Sequence, residues 1–222
     1  PDPDGGGVLK RRAIRNTYNG DRQITLAEQG TVDGLSNSDW TAFASLQQVQ
    51  TTYDTWGRPV QVDATGGGVA YTQQQASYDS VGRVDCTAVR MNPAAFGSPP
   101  DSACTAASPG AYGPDRISKA FYDAAGRTTS TTTGYGTAGA ITEAVTYTNN
   151  NQPQTLTDGN GNVSILVYDG FDRTSRLRYP NPTGGGTSTG DYEEYSYDAG
   201  SNVTAFRNRA RTDQDDFFAH CA

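Results

Sequence analysis

The sequence predicts an all-β fold, an array of antiparallel β-hairpins, and three observations carry that expectation. A short string recurs: "TYDTWGR" (52–58), "SYDSVGR" (77–83) and "FYDAAGR" (121–127) share YDxxGR, and self-similarity at a near-fixed step signals an array of supersecondary units. Leu, Ile, Val and Phe number only 32 of 222 residues, while 13 Tyr, 26 Gly and abundant Thr supply strand and turn formers. The formal charge of -7 is too small for this length to hold the chain open by self-repulsion. Together they describe an ordered β protein with thin apolar faces.

The repeat has local physics. Asp at position i and Gly at i+3 are preferred ends of a type I turn: the carboxylate accepts a turn N–H, and Gly takes the positive φ needed to re-enter the partner strand. Tyr stands on the strand before the turn. Arg stands just after it, close enough to cover the ring or pair with Asp. The structural turn residues are therefore Tyr53, Asp54, Gly57 and Arg58, Tyr78, Asp79, Gly82 and Arg83, Tyr122, Asp123, Gly126 and Arg127, and, in the weaker copy "VYDGFDR", Tyr168 and Asp169. Further weak copies stand at Tyr147 ("TYTNNNQ") and Tyr197 ("SYDAGSN"), and a degenerate "TYNGDR" at Tyr18.

Taken in chain order, residues 1–50 read as an irregular N-terminal segment holding the degenerate repeat and a short helix. The helix is placed in "SNSDWTAFASLQQVQ" (36–50), with Ser38 as cap, Asp39 in the first turn, and Trp40, Phe43 and Ala44 on one face. Residues 51–210 form the hairpin array. Within it "RPVQV" alternates, Val60 and Val62 opposite Gln61, and "VAYTQQQASY" puts Val69 and Tyr71 on one face. A second set of turns, closing the other strand ends, is expected at Asp63–Gly66 and Asp158–Gly161. Residues 84–116 carry five prolines and read as an inserted loop. The tail 211–222 has no assigned role.

Candidate chemistry is sparse. Cys86 and Cys104 flank the Pro-rich loop; they are placed to pair as a disulfide, with two free buried thiols as the alternative. A single His, His220, leaves no zinc set, and its neighbour Cys221 points the other way on an extended chain. Asp158, Asn160, Asn162 and Asp169 have a calcium-loop rhythm, but Val163 stands where that loop needs Gly, and a turn explains the same residues. Glu193 and Glu194 are adjacent and so on opposite strand faces, a poor start for paired acid–base work. The glycine triplets lack the Lys and Ser/Thr of a phosphate loop. No enzyme, metal or cofactor is expected. The acidic balance argues against nucleic acid, since "KRRAIR" (10–15) is too short a basic stripe. No run of about 18 apolar residues exists to span a membrane. Starting at Pro1, the chain reads as a piece whose targeting signal lies elsewhere.

The YDxxGR series over residues 50–205 resembles the YD-repeat or RHS family: bacterial RHS proteins, shell components of insecticidal toxin complexes, and teneurins. The resemblance implies a long sheet that curves or spirals into a hollow shell, of which this chain would be a section. In many bacterial members the shell encloses a toxic C-terminal segment. It also implies a secreted or cell-surface location, with flanking repeats of the same chain and an enclosed toxin segment as partners. The family's self-cleaving core, with its DPxG-type signature, has no match here. A structural and interaction role is thus expected. The rival is a carbohydrate-binding cell-surface module, suggested by aromatics among Asn and Asp on exposed strands, with glycans as partners. An array with open strand edges is also expected to be marginal alone or to self-associate.

Overall fold

The computed structural model describes residues 10–209. They fall into two compact units, one running through Lys119 and taking in Gly134–Ala138, the other comprising Ala120–Thr133 and the chain from Gly139 onward. The calls on Gly5–Gly7, His220, Cys221 and the tail lie outside the described residues.

The first unit holds β1 (Arg11–Tyr18), β2 (Ile24–Val32), β3 (Ala44–Tyr53), β4 (Pro59–Gly66), β5 (Val69–Tyr78), β6 (Val84–Arg90) and the start of β7 (Arg116–Tyr122). Each strand pairs antiparallel with the next. The second unit takes the end of β7, then β8 (Thr128–Thr133), β9 (Ile141–Tyr147), β10 (Pro153–Thr157), β11 (Val163–Tyr168), β12 (Thr174–Pro180), β13 (Thr187–Tyr197) and β14 (Val203–Arg209). From β8 on, neighbours in sequence are again antiparallel partners. The array of antiparallel hairpins expected from the sequence is the fold observed.

Four details differ from the sequence reading. Residues 10–50 are not irregular, because β1, β2 and the first half of β3 already form a meander. β1 ("RRAIRNTY") is solvated almost throughout, so it shows no apolar alternation by which to be recognised. The helix, α1, spans only Asn37–Thr41, and its cap is Ser36, whose hydroxyl accepts from Asp39 N–H while Asp39 bonds back to the Ser36 N–H. From Ala44 the chain joins β2 instead, with Ala44 opposite Thr31. Inserted residues begin after Arg90 rather than at Val84, since β6 occupies the first seven positions. Asp63–Gly66 is strand, and the reversal is made by Gly67 and Gly68, both at positive φ.

Buried apolar side chains are few among the described residues: Val32, Cys86, Ala88, Ala103 and Ile117. The last four form one cluster where the loop after β6 lies on the sheet. Elsewhere the strands present Thr, Gln and Tyr, which have strand propensity without demanding a deep interior.

Candidate functional site

The turn carrying each YD string is built by its aspartate. In the turn at Asp54, Oδ1 accepts the N–H groups of Trp56 and Arg58 at 2.9 Å each, and Oδ2 accepts from Arg58 Nε at 2.7 Å. Gly57 N–H closes on Asp54 C=O at 3.0 Å with Gly57 at φ 76°. Asp79 with Val81, Gly82 and Arg83, and Asp169 with Phe171, Asp172 and Arg173, repeat the pattern. Asp123 accepts from Arg127 N–H and Nε in the same way. At the weak copies, Arg22, Asn151, Asp172 and Ser201 take the positive φ that Gly takes elsewhere. Asp158 makes the same turn, accepting from Asn160 and Asn162 N–H, so the calcium rhythm is a turn here.

These hydrogen bonds set the charge state. The guanidinium of Arg173 is the main cause holding the Asp169 carboxyl below the usual carboxylate range, and the Arg127 N–H does so for Asp123. At Asp54 and Asp79 partial desolvation pushes the carboxyl up, but the bonds from the following arginine and turn N–H groups outweigh it.

Tyrosine does more than precede a turn. Tyr53, Tyr78, Tyr147, Tyr168 and Tyr197 donate their hydroxyls to the carbonyls of Ile24, Pro59, Thr128, Pro153 and Thr174, at 2.7–3.0 Å. Every acceptor is the first strand residue after the preceding YD-type turn. Arg58, Arg127 and Arg173 cover the rings of the next repeat's tyrosine, Tyr78, Tyr147 and Tyr197, at 4.1, 4.4 and 4.5 Å from the centroid. Gln23, in place of Arg, reaches the Gly57 carbonyl of the next turn instead. The sequence assigned Arg to its own ring or Asp; it pairs with that Asp and also spans to the next repeat. Only the near-constant step between tyrosines could have signalled this. Tyr122 ends β7 and leads into the Asp123–Arg127 turn.

A second constellation holds the loop after β6. Cys86 and Cys104 are joined as a disulfide. Arg90 and Asp115 form an ion pair at 2.7 Å whose side chains are 2% and 1% exposed. Arg90 also donates to the carbonyls of Ser102 and Thr105 and to Gln75 Oε1, and Asp115 accepts the N–H groups of Met91 and Ala107. Burial pushes the Asp115 carboxyl up, yet these donors hold it below its usual range. From β5, Gln73, Gln75 and Ser77 bond Phe96 C=O, Pro100 C=O and Ala103 N–H. Their period of two along "QQQAS", in phase with Val69 and Tyr71, was the available signal, and only the placed loop supplies their partners.

The remaining candidates do not assemble. Glu193 accepts from the hydroxyls of Tyr179 and Tyr195, raising both phenols to about 12, while Glu194 faces Arg176 and Arg207. Asp85 lies beside the two cysteine sulfurs, but it pairs with Lys119 at 2.6 Å and the sulfurs are spent on each other. Among the described residues no helix is long and apolar enough to cross a membrane.

No family model matches the chain, and no curated protein matches it. Solved structures do. The crystal structure of TcdB2-TccC3 aligns over 92% of this chain at 12% identity and a TM-score of 0.50, covering 11% of that chain. A Photorhabdus luminescens Tc holotoxin pore with a TccC3 variant aligns over 90% of this chain and 10% of that one, at 14% identity and a TM-score of 0.43. The chain therefore spans about a tenth of the solved chains it matches. The TcdB2-TccC3 alignment shows a shared fold, a run of antiparallel hairpins.

Proposed function

We propose that this chain is a structural segment of an RHS-type protein, a stretch of β-shell that encloses or presents a C-terminal toxin segment. The observation that carries the reading is the tyrosine-to-carbonyl link, which at Tyr53, Tyr78, Tyr147, Tyr168 and Tyr197 joins a hairpin to the one before it in a fixed register. Links of this kind extend a sheet without needing a deep core. The fold shared with TcdB2-TccC3 supports the same role. Flanking repeats and the enclosed segment are its partners under this reading, and it assigns no catalysis to these residues. A secreted or cell-surface location fits the disulfide, since such bonds persist in oxidising compartments.

The carbohydrate-binding alternative is the weaker one, because the rings of Tyr78, Tyr147 and Tyr197 are covered by arginine and the most exposed rings, such as Trp56 and Tyr112, stand on turns and loops instead of a strand face. The test is limited proteolysis of the parent protein. Its C-terminal segment should resist digestion in the intact protein and be cut readily when expressed apart. Equal digestion in both forms would remove enclosure from the reading. Turnover of ester, peptide or glycoside substrates by the purified chain would remove its non-enzymatic part.

A further inference from the structure

Three donor groups converge at the disulfide. A carboxylate oxygen of Asp85 and the sulfurs of Cys86 and Cys104 all lie within 4.8 Å of one another. A disulfide sulfur has no proton to donate, so the 3.2 Å approach of Asp85 Oδ2 to Cys104 Sγ is not a hydrogen bond: two electron-rich atoms face each other. Lys119, opposite Cys86 across β6 and β7, holds the carboxylate there, with Nζ 2.6 Å from Asp85 Oδ1 and 3.9 Å from Cys104 Sγ.

The sulfurs do not depend on their own bond to stay in place. Asp85 and Cys86 are consecutive in β6, and Cys86 is paired on one side to Ser77 and on the other to Lys119. On the loop, Ala103 N–H donates to Ser77 Oγ at 2.8 Å, and Arg90 donates to the carbonyls of Ser102 and Thr105 at 3.0 and 2.6 Å, so the backbone is pinned on both sides of Cys104. Arg90 is itself fixed by Asp115. Opening the disulfide therefore leaves two thiols side by side, next to a carboxylate. Their Cα atoms are 5.2 Å apart. Two thiolates on a tetrahedral zinc ion, each about 2.3 Å from it, stand about 3.8 Å apart, a separation that side-chain rotation supplies.

We propose that Asp85, Cys86 and Cys104 form a zinc site in the reduced protein, so that the loop of 91–115 is fastened by a disulfide under oxidising conditions and by a metal ion under reducing ones. Three protein ligands and a water complete a tetrahedral shell, and thiolate donors select zinc over magnesium or calcium. Asp85 binds through Oδ2 while Oδ1 keeps Lys119, an outer-shell partner of the kind that orients a ligating carboxylate. The ammonium also offsets the one negative charge by which two thiolates and a carboxylate exceed the ion. The exchange balances with a dithiol as reductant. One of its thiolates attacks Cys104 Sγ, the more exposed sulfur, and Cys86 leaves as thiolate; its second thiol then displaces Cys104 and closes the reductant's own disulfide. Two electrons and two protons pass to the cysteines, and zinc binding releases the two protons to water. The inference stands on this cluster, not on enclosure of a toxin segment, and its failure would leave the proteolysis test untouched.

Metal titration of the 222-residue chain tests it, with Cys221→Ser throughout so that the third cysteine adds no thiol. Reduced with a phosphine under inert gas and freed of it, the chain should bind one zinc ion, or one cobalt(II) ion with sulfur-to-cobalt charge-transfer absorption, and the oxidised chain should bind neither. Asp85→Asn should weaken zinc binding at least about tenfold, since loss of an outer-shell partner alone costs about 10- to 100-fold, and Cys104→Ser should abolish it. Reduction should quicken hydrogen exchange in β5 and β6, and zinc should slow it again. Circular dichroism checks that each variant keeps its strand content. A reduced chain that takes up no zinc at micromolar concentration, binding that Asp85→Asn leaves unchanged, or exchange that stays fast with zinc bound would overturn the proposal.

Discussion

From β5 to the start of β7 the sheet is covered by the loop of residues 91–115, and there the protein has a disulfide, an apolar cluster and a buried ion pair. Among the described residues from β8 to β14, only Thr132 is fully buried, and neighbours are joined by tyrosine hydroxyls, arginine–ring contacts and backbone ladders. The two regions share one strand geometry and one turn chemistry. The difference shows that an array of this kind holds together by repeated small contacts between neighbours, while a local interior has to be supplied by inserted chain. Damage in the covered region should therefore be large and confined, and damage in the bare hairpins small.

The sharpest way to break this contrast is to remove matched arginines. Arg90→Ala leaves the Asp115 carboxylate, 1% exposed, without its partner and should cost about 3–5 kcal/mol in urea unfolding. Arg176→Ala, whose ion pair with Glu194 is about one-third exposed, should cost under about 1 kcal/mol. Equal costs would mean that the loop adds no interior. Removing the disulfide with Cys86→Ser and Cys104→Ser closes no loop in the unfolded chain and should cost about 3 kcal/mol. Hydrogen exchange should quicken in β5 and β6 and stay unchanged from β9 to β14.

Smaller effects sharpen the turn side of the comparison. Gly82→Ala forces a Cβ at φ 91° and should cost about 1–2 kcal/mol, whereas Ser201→Gly, which relieves a side chain at φ 65°, should be neutral or stabilising by under about 1 kcal/mol. Tyr147→Phe removes one inter-repeat hydrogen bond and should cost about 0.5–1.5 kcal/mol. The smallest effect is with acid. A carboxyl whose pKa falls on folding, such as Asp123 or Asp169, stabilises the fold above its unfolded pKa, near about 4. That contribution is lost as pH drops through the lower folded value. Stability should be flat from neutrality to about pH 5 and decline below about pH 4. Asp123→Asn should lessen the decline.

The hairpins were legible because Asp and Gly three apart constrain the backbone within one turn, whatever surrounds it. The turns at Asp54, Asp79 and Asp123 need no neighbour to specify them. What escaped the sequence depends on register between distant strands. Tyr78 finds the Pro59 carbonyl, and Gln73 finds Phe96, only once β4, β5 and the loop have been placed. The helix at 36–50 was overdrawn for a related reason: Trp40, Phe43 and Ala44 fit a helical face, but pairing of Ala44 with Thr31 ends the helix within about one turn and a half. β1 was missed because an outer strand rich in arginine carries no alternation to read.

In the first unit the tyrosine turns sit at one end of the strands, while the loop of 91–115, the helix after β2 and the glycine reversal at Gly67 sit at the other. Since each link consults only the turn before it, a gene could gain or lose a pair of strands by duplication or deletion and every remaining link would still find its acceptor. The opposite ends carry no tyrosine link, and an insertion there is held by its own local contacts, as the loop of 91–115 is by β5 and β6. Descendants of such a chain can thus differ in length along one axis and in decoration along the other, each without penalty to the second.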